Sequence, residues 1–526
     1  MRAILDSNKV LLIILDGWGL SPLDFGNAPF LANTPTLDYV YNTYPKTSLA
    51  ASGLEVGLSL GEVGNSETGH LNIGTGRVVW EDLPRIARSI NSNEFFSNPA
   101  LMQALDNVQK NNSVLHLIGM VSDGGVHSHI DHLLALIKSA SEKHIQNVCV
   151  HVITDGVDTD PKQAERFVNI LEQAFAKYRI GRIATITGRF FAMDRDGNFE
   201  RTNRAFDLFV NNIGQNYSTA NQAILSDYQY DRSDETIEPA VIGAGATIQD
   251  NDSVIFFNFR SDRMRQISDM FLAPNNIERV PKNLFICTMM QYRDDQVAAT
   301  LFPPVNLANS LAEIVAANNL SQLHVAETDK YPYITYYLNA KREQPFLGER
   351  DFRVPGKQVN TYDLAPAMSA DEVATTIISG MSAGFDLIVT NFANGDAVGH
   401  TGFLPATIKA CEAVDTALLK VFQSANATGY DVILVGDHGN CESMIDESTG
   451  KPDGNHTANP VPFVYLNFAK KPFEFQSSTL TKEDYFLFAS GTPIGVLADV
   501  APSVLARLGL AQPEDMMGMD LTIAMG

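Results

Sequence analysis

The chain has 526 residues, 45% of them apolar and 19% charged. That length exceeds one ordinary hydrophobic core and points to two domains, and the composition is that of a folded globular protein rather than a disordered one. A formal net charge of −23 argues against binding of nucleic-acid backbones, which requires a basic surface.

The first apolar run, VLLIIL (Val10 to Leu15), predicts a strand that ends at Asp16 in the turn DGWG. Six residues are too few for a signal-peptide core, and no later run approaches membrane length, so the expected setting is the cytoplasm, away from any membrane. Next comes VGNSETGHLNIGTG, from Val63 to Gly76. It looks like a phosphate-cradling loop but lacks the lysine of a P-loop. Its Ser66 has two readings: a helix N-cap, or a nucleophile presented to a metal-activated reaction. The two are compatible, because a helix N-terminus also favours an anionic phosphoryl group.

Further along, β-branched runs recur and end in polar turns. VLHLIGMV leads to SDGGVHSH, with His127, His129 and His132 close by. VCVHVIT leads to DGVD, with Asp155 and Asp158. IATIT leads to GRFFAMDRDG, with Arg189 and Arg195. VIFFNF leads to RSDR, with Arg260 and Arg263. LIVTNF leads to Asp396 and His400, and DVILVG leads to Asp437 and His438. Helical patterns such as HIDHLLALIKSASEK and PKQAERFVNILEQAFAK separate many of these runs. Strands alternating with helices predict an α/β fold: two domains with mostly parallel sheets flanked by helices. Ligands in such sheets collect beyond the carboxyl ends of the strands, where these turns lie.

The turn chemistry also divides the chain. Asp- and His-rich turns lie near the start and after about residue 390, and arginine-rich turns lie between them. The expected arrangement is a discontinuous domain of residues 1–80 and 311–526 with residues 81–310 inserted in it. Asp16, Asp396, His400, Asp437, His438 and His456 offer carboxylate and imidazole donors, which suit Mn²⁺ or Zn²⁺ and suffice for two ions. Each alone is an ordinary turn residue; six at separate strand ends suggest a site. Cys149, Cys287, Cys411 and Cys441 show no metal spacing and read as buried, reduced thiols. The arginines read either as a clamp for a small polyanion or as a surface ion-pair network.

LDGWG, GNSETGHLNIGTGR, SDGGVHSH, GRFFAMDRD, FNFRSDR, AETDKYPYITYYLN, NFANGDAVGHTG, GDHGN and the His456 of HTANPVP together resemble the cofactor-independent phosphoglycerate mutases. The blocks span nearly the whole chain. The resemblance implies a phosphotransferase domain inserted in an alkaline-phosphatase-like domain, a monomer, two Mn²⁺ ions, no requirement for 2,3-bisphosphoglycerate, and 2- or 3-phosphoglycerate as substrate. It implies that Asp396, His400 and His456 hold one ion, that Asp16, Ser66, Asp437 and His438 hold the other, and that Ser66 is phosphorylated. It assigns substrate contacts to His127, Asp158, Arg189, Arg195, Arg260, Arg263 and Lys330, with Asp158 also moving hydroxyl protons. Closure of the domains would then keep water from the intermediate. Two positions depart from the family: Val157 stands where an arginine is usual, and AKREQPF follows Asn339 where Gly-Gly is usual. A metal-dependent phosphohydrolase, a phosphopentomutase or a catalytically weakened phosphoglycerate-binding protein are the alternatives.

Overall fold

The computed structural model describes residues 9–272, 280–477 and 479–524. Its first strand, β1 (Lys9–Leu15), shows how the main sheet is built. Val10, Leu12 and Ile14 enter one hydrophobic core while Leu11, Ile13 and Leu15 enter another. A strand with side chains alternating between two buried faces is what a parallel sheet covered on both sides requires. Each such side chain contributes about 1.5–3 kcal/mol of burial. The second strand, β2 (Lys46–Ala50), follows at the same sheet.

The chain then enters a separate compact unit spanning Asp82–Val305. Its strands are β3 (Leu115–Met120), β4 (Val148–Thr154), β5 (Arg182–Gly188), β6 (Gln215–Tyr217), β7 (Ala240–Ile242), β8 (Ser253–Phe256), β9 (Phe285–Met290) and β10 (Ala299–Phe302). They form one sheet in the order β10-β9-β8-β3-β4-β5-β7-β6. Six run parallel; the β5–β7 pairing is antiparallel and turns the last two strands around. Helices Ile130–Glu142 and Ala164–Tyr178 occupy the two segments read as helical from sequence.

Across the middle of this sheet runs a buried polar chain. Asp252 Oδ2 lies 3.2 Å from His116 Nε2, His116 Nδ1 lies 2.8 Å from His151 Nε2, and His151 Nδ1 lies 2.9 Å from Thr185 Oγ1. Four polar side chains satisfy one another inside an otherwise apolar core, which makes their burial tolerable. Burial, aided by the neighbouring His116, drives the His151 pKa far below its ordinary value.

The other compact unit joins Met1–Glu81 to Asn306–Gly526. Its later strands are β11 (Gln322–Glu327), β12 (Glu349–Val354), β13 (Leu387–Phe392), β14 (Tyr430–Gly436), β15 (Val461–Leu466) and β16 (Gly495–Val496). The sheet order is β12-β11-β13-β1-β14-β15-β2-β16. Within it only β15 runs against the rest. Helices Ala370–Ala383 and Leu404–Thr428 pack on one face, and Ser66–Thr75 and Val500–Arg507 on the other. The fold class expected from the sequence, two mostly parallel sheets flanked by helices, is the one observed. The four cysteines are buried and unpaired.

Candidate active site

The first unit gathers its polar turns at one edge of its sheet. Asp16 follows β1, Asp396 lies in the short helix Asn394–Gly399 after β13, and Asp437 and His438 follow β14. Since β15 is antiparallel, the loop before it reaches the same edge and delivers His456. Gly17 has φ +68°, and a Cβ there would lie 2.7 Å from the Asp396 Cα. That close approach of the two loops is open only to glycine. Gly69 likewise lets the helix Ser66–Thr75 press against Asp437, whose carbonyl oxygen a Cβ would meet at 2.7 Å.

Ser66 is the first residue of that helix and is not its cap. Asn65 caps it, its Oδ1 accepting from Thr68 N–H at 2.9 Å. The sequence reading of Ser66 as an N-cap is therefore corrected: the cap is one residue earlier, and the Ser66 hydroxyl is free to face the carboxylates. Its Oγ lies 2.8 Å from Lys330 Nζ, 2.9 Å from His438 Nε2 and 3.3 Å from Asp16 Oδ1. Lys330 Nζ also touches Asp16 Oδ1 at 2.7 Å and Asp396 Oδ2 at 2.6 Å. Burial works against charge on all three. The carboxylates nevertheless drive the lysine pKa upward, and the ammonium holds Asp16 and Asp396 below the usual carboxylate range. A cavity of about 380 Å³ opens here, lined in part by Ser66, Lys330, Asp396, His400 and His456.

The imidazoles are oriented by backbone carbonyls. His400 Nδ1 donates to Gly454 O at 2.9 Å and His456 Nδ1 donates to Gly64 O at 2.8 Å. When the rings are neutral each Nε2 then presents its lone pair to Asp396 Oδ1, at 3.2 and 3.1 Å, and the two Nε2 atoms are 3.1 Å apart. Two lone pairs and a carboxylate converging on one point repel unless a cation or a proton sits among them. Asp437 Oδ2 is buried and accepts no hydrogen bond. This donor set of imidazole nitrogen and carboxylate oxygen fits a divalent ion of the Mn²⁺ or Zn²⁺ type. Burial opposes charge on His438, but Asp437, Asp16 and Asp396 together raise its pKa to about 9.

Two supporting residues were missed in the sequence. His70 Nδ1 donates to Ser66 O at 2.9 Å and lies 3.2 Å from Asp437 Oδ2; its Nε2 accepts from Asn391 Nδ2 at 3.0 Å. With Nδ1 donating and Nε2 accepting, both ring nitrogens are engaged and the ring packs between Ser66 and Asp437. Asn391 also donates to Asp16 Oδ2 at 2.6 Å. His70 stood in the quoted serine stretch, one helical turn after Ser66, and that spacing was the available signal.

The inserted unit holds a second polar cluster at the carboxyl ends of its strands. Arg189 Nη1 bridges Asp155 Oδ1 at 2.7 Å and Asp158 Oδ2 at 2.9 Å. Asp262, which sequence reading passed over, joins Arg195 at 2.7 Å, Arg260 at 3.1 Å and His127 at 3.7 Å. Burial, with the Arg189 charge, lowers the His127 pKa to about 4, so the ring is neutral near pH 7. Burial and the neighbouring guanidinium groups Arg195 and Arg189 also depress the Arg263 pKa. Asp155, Asp158 and Asp262 balance much of this guanidinium charge. Lys330, grouped with these residues in the sequence reading, sits with Ser66 in the other unit. Val157 is 56% exposed.

Two α/β units, one carrying a carboxylate–imidazole cluster around a buried serine and the other an arginine cluster, define a class of phosphoryl-handling enzymes by their chemistry. Residues 86–294 match the family model described as "BPG-independent PGAM N-terminus". Over 547 aligned positions the chain is 42% identical to the 2,3-bisphosphoglycerate-independent phosphoglycerate mutase of Chloroflexus aurantiacus, covering 98% of each chain. It is 40% identical to the Ectopseudomonas mendocina enzyme of the same name, covering 97% of each. The crystal structure of Leishmania mexicana phosphoglycerate mutase at low cobalt concentration aligns with a TM-score of 0.53 at 29% identity, covering 98% of each chain. The chain belongs to the 2,3-bisphosphoglycerate-independent phosphoglycerate mutase family, a family of isomerases.

Proposed function

We propose that this chain interconverts 2-phosphoglycerate and 3-phosphoglycerate through a phosphoserine on Ser66, with two Mn²⁺ ions bound in the cluster. The carrying observation is the Ser66 Oγ, held at a helix N-terminus between Lys330 Nζ and His438 Nε2. Asp396, His400 and His456 are the ligand set of one ion, and Asp16, Ser66, Asp437 and His438 that of the other. Bound there, the ions supply Lewis-acid charge that favours the ionised serine and offsets the phosphoryl oxygens.

The chain's own residues do the rest. Ser66 Oγ forms a bond to phosphorus as the bond to the glycerate oxygen breaks. The Lys330 ammonium braces the transferring oxygens, and the first backbone N–H groups of helix Ser66–Thr75 favour the anion. Arg189, Arg195, Arg260, Arg263 and His127 hold the carboxylate and phosphate of the substrate. Asp158, paired with Arg189 at 2.9 Å, takes the proton of one glycerate hydroxyl and returns it to the other. The second hydroxyl then takes back the phosphoryl group, and Ser66 is restored.

The test is purified protein with Mn²⁺ and 3-phosphoglycerate, coupled through enolase, with no 2,3-bisphosphoglycerate. Turnover is expected. Release of inorganic phosphate alone would mark a phosphohydrolase, and no turnover at any substrate level would remove the mutase reading. The same proposal carries a monomer, which light scattering behind a sizing column tests, and a cytoplasmic location, which cell fractionation tests. Among the described residues no helix is long and apolar enough to cross a membrane.

A further inference from the structure

A second group of metal-type side chains lies away from Ser66, on the outer strands of the same sheet. The parallel register sets His324 of β11 opposite Asp351 of β12, and Gln322 opposite Glu349. With a side-chain period of two, His324, Glu349 and Asp351 share one face. Gln322 Nε2 donates to Ala312 O at 2.9 Å, which turns its Oε1 toward His324 Nε2 at 3.3 Å. His324 Nε2 is therefore the protonated nitrogen, and Nδ1 carries the lone pair of a fully buried ring.

That Nδ1 has no hydrogen-bond partner. It faces Glu349 Oε1 at 3.4 Å and Asp351 Oδ1 at 3.9 Å. Asp351 Oδ1 and Asn339 Oδ1 are likewise buried and unpartnered, while Asn339 Nδ2 donates to Glu349 Oε1 at 2.6 Å. Burial, against the pull of Glu349, keeps the imidazole neutral. A neutral lone pair aimed at two carboxylates is repulsive unless something positive lies between them. Donors about 2.1 Å from a tetrahedral ion sit about 3.4 Å apart, close to the observed spacing.

We propose that His324 Nδ1, Glu349 Oε1 and Asp351 Oδ1 bind a divalent cation of the Zn²⁺ or Mn²⁺ class, independent of the Ser66 cluster. One nitrogen among oxygen donors selects against Ca²⁺ and Mg²⁺. The site is structural. It ties β11, which leads three residues later into Lys330, to the edge strand β12. Through Glu349 and Asn339, whose N–H donates to Thr335 O, it also reaches the end of the π-helix Tyr333–Tyr337.

The competing occupant is a proton shared by the two carboxyls; burial and the Glu349 charge raise the Asp351 pKa to about 7. The experiment loads the full-length, chelator-stripped protein with Zn²⁺ or with Mn²⁺, removes loose metal, and counts ions per chain by plasma mass spectrometry. Wild type is expected to hold one ion more than Asp351→Asn or His324→Gln. A variant with His400, His438 and His456 all replaced by alanine is expected to retain one ion. Equal counts in wild type and both edge-strand variants would overturn the proposal, as would a triple-alanine variant that holds none. So would an infrared carboxylic-acid band that vanishes in Asp351→Asn at unchanged metal content, because it would place the proton there instead. Tryptophan fluorescence and circular dichroism show whether each variant is folded, and the triple-alanine arm decides if the edge-strand variants are not.

Discussion

Replacing Lys330 by methionine should produce a stability loss that depends on metal. The ammonium is buried and lies within 2.8 Å of Asp16 Oδ1, Asp396 Oδ2 and Ser66 Oγ. Methionine keeps most of the side-chain volume and removes the charge, leaving the two buried carboxylates with only His438 close to both to offset them. Breaking a buried ion pair by deleting one partner costs about 3–5 kcal/mol. With a denaturant slope of about 2–3 kcal/mol per molar urea, the unfolding midpoint should fall by about 1–2 M. Both tryptophans, Trp18 and Trp80, lie in the unit that carries the cluster, so their fluorescence reports that unit alone. In chelator the full loss is expected. With saturating Mn²⁺ the cations supply the missing positive charge, and most of the loss should disappear. An equal shift in both conditions would refute the reasoning, since the cost would then be packing. So would a loss below about 1 kcal/mol in chelator, the range of an exposed pair.

Ser66→Ala should abolish interconversion while leaving fold and metal content largely intact; turnover equal to wild type would eliminate the phosphoserine. With His438 raised to about 9, Mn²⁺ must displace a proton at neutral pH. Affinity should therefore climb between pH 6.5 and 9, and calorimetry in two buffers of different ionisation heat should show the released proton. Because that folded-state pKa exceeds the unfolded value, its contribution to stability in chelator is complete below about pH 6.5 and is lost as pH rises through about 9. Urea midpoints across that window check the sign. His116→Leu leaves Asp252 and His151 each short of a buried partner and should cost about 2–5 kcal/mol in the inserted unit, read by circular dichroism. Val157→Arg, at an exposed position, should lower KM for 3-phosphoglycerate about tenfold; an unchanged KM would mean the neighbouring arginines already suffice.

Much of this was legible because strand ends announce themselves. VLLIIL, VLHLIGMV, VCVHVIT, IATIT, VIFFNF, LIVTNF and DVILVG all contain strands of the two sheets, and β-branched runs bounded by polar turns have few other readings. Convergence was less legible. His456 reaches the cluster because β15 runs antiparallel, and VPFVYL carries no mark of strand direction. Asn65 rather than Ser66 caps the helix because both residue types favour that position, and only backbone geometry separates them. Asp262 was hidden between two arginines, where an acidic residue reads as local neutralisation. The His324, Glu349 and Asp351 group was invisible, since its members lie on neighbouring strands and only the register brings them together.

The charge balance of the Ser66 cluster explains why a lysine belongs in it. Asp16, Asp396 and Asp437 are three buried carboxylates around one ammonium, Lys330. With neutral imidazoles the set carries a formal charge of −2, which would repel a phosphoryl dianion. Two divalent ions would bring it to +2 and make it complementary to that dianion. Without the lysine the same two ions would leave +1, and the bridging oxygens of Asp16 and Asp396 would lose the donor that keeps them apart from each other. Under the proposed reaction Lys330 does two jobs with one charge: it holds the carboxylates in place without metal, and it lies within hydrogen-bond reach of Ser66 Oγ, where a phosphoryl group carried on Ser66 would pass. A neutral residue at 330 could do neither, which is why the deletion of this one charge is the sharpest probe of the cluster.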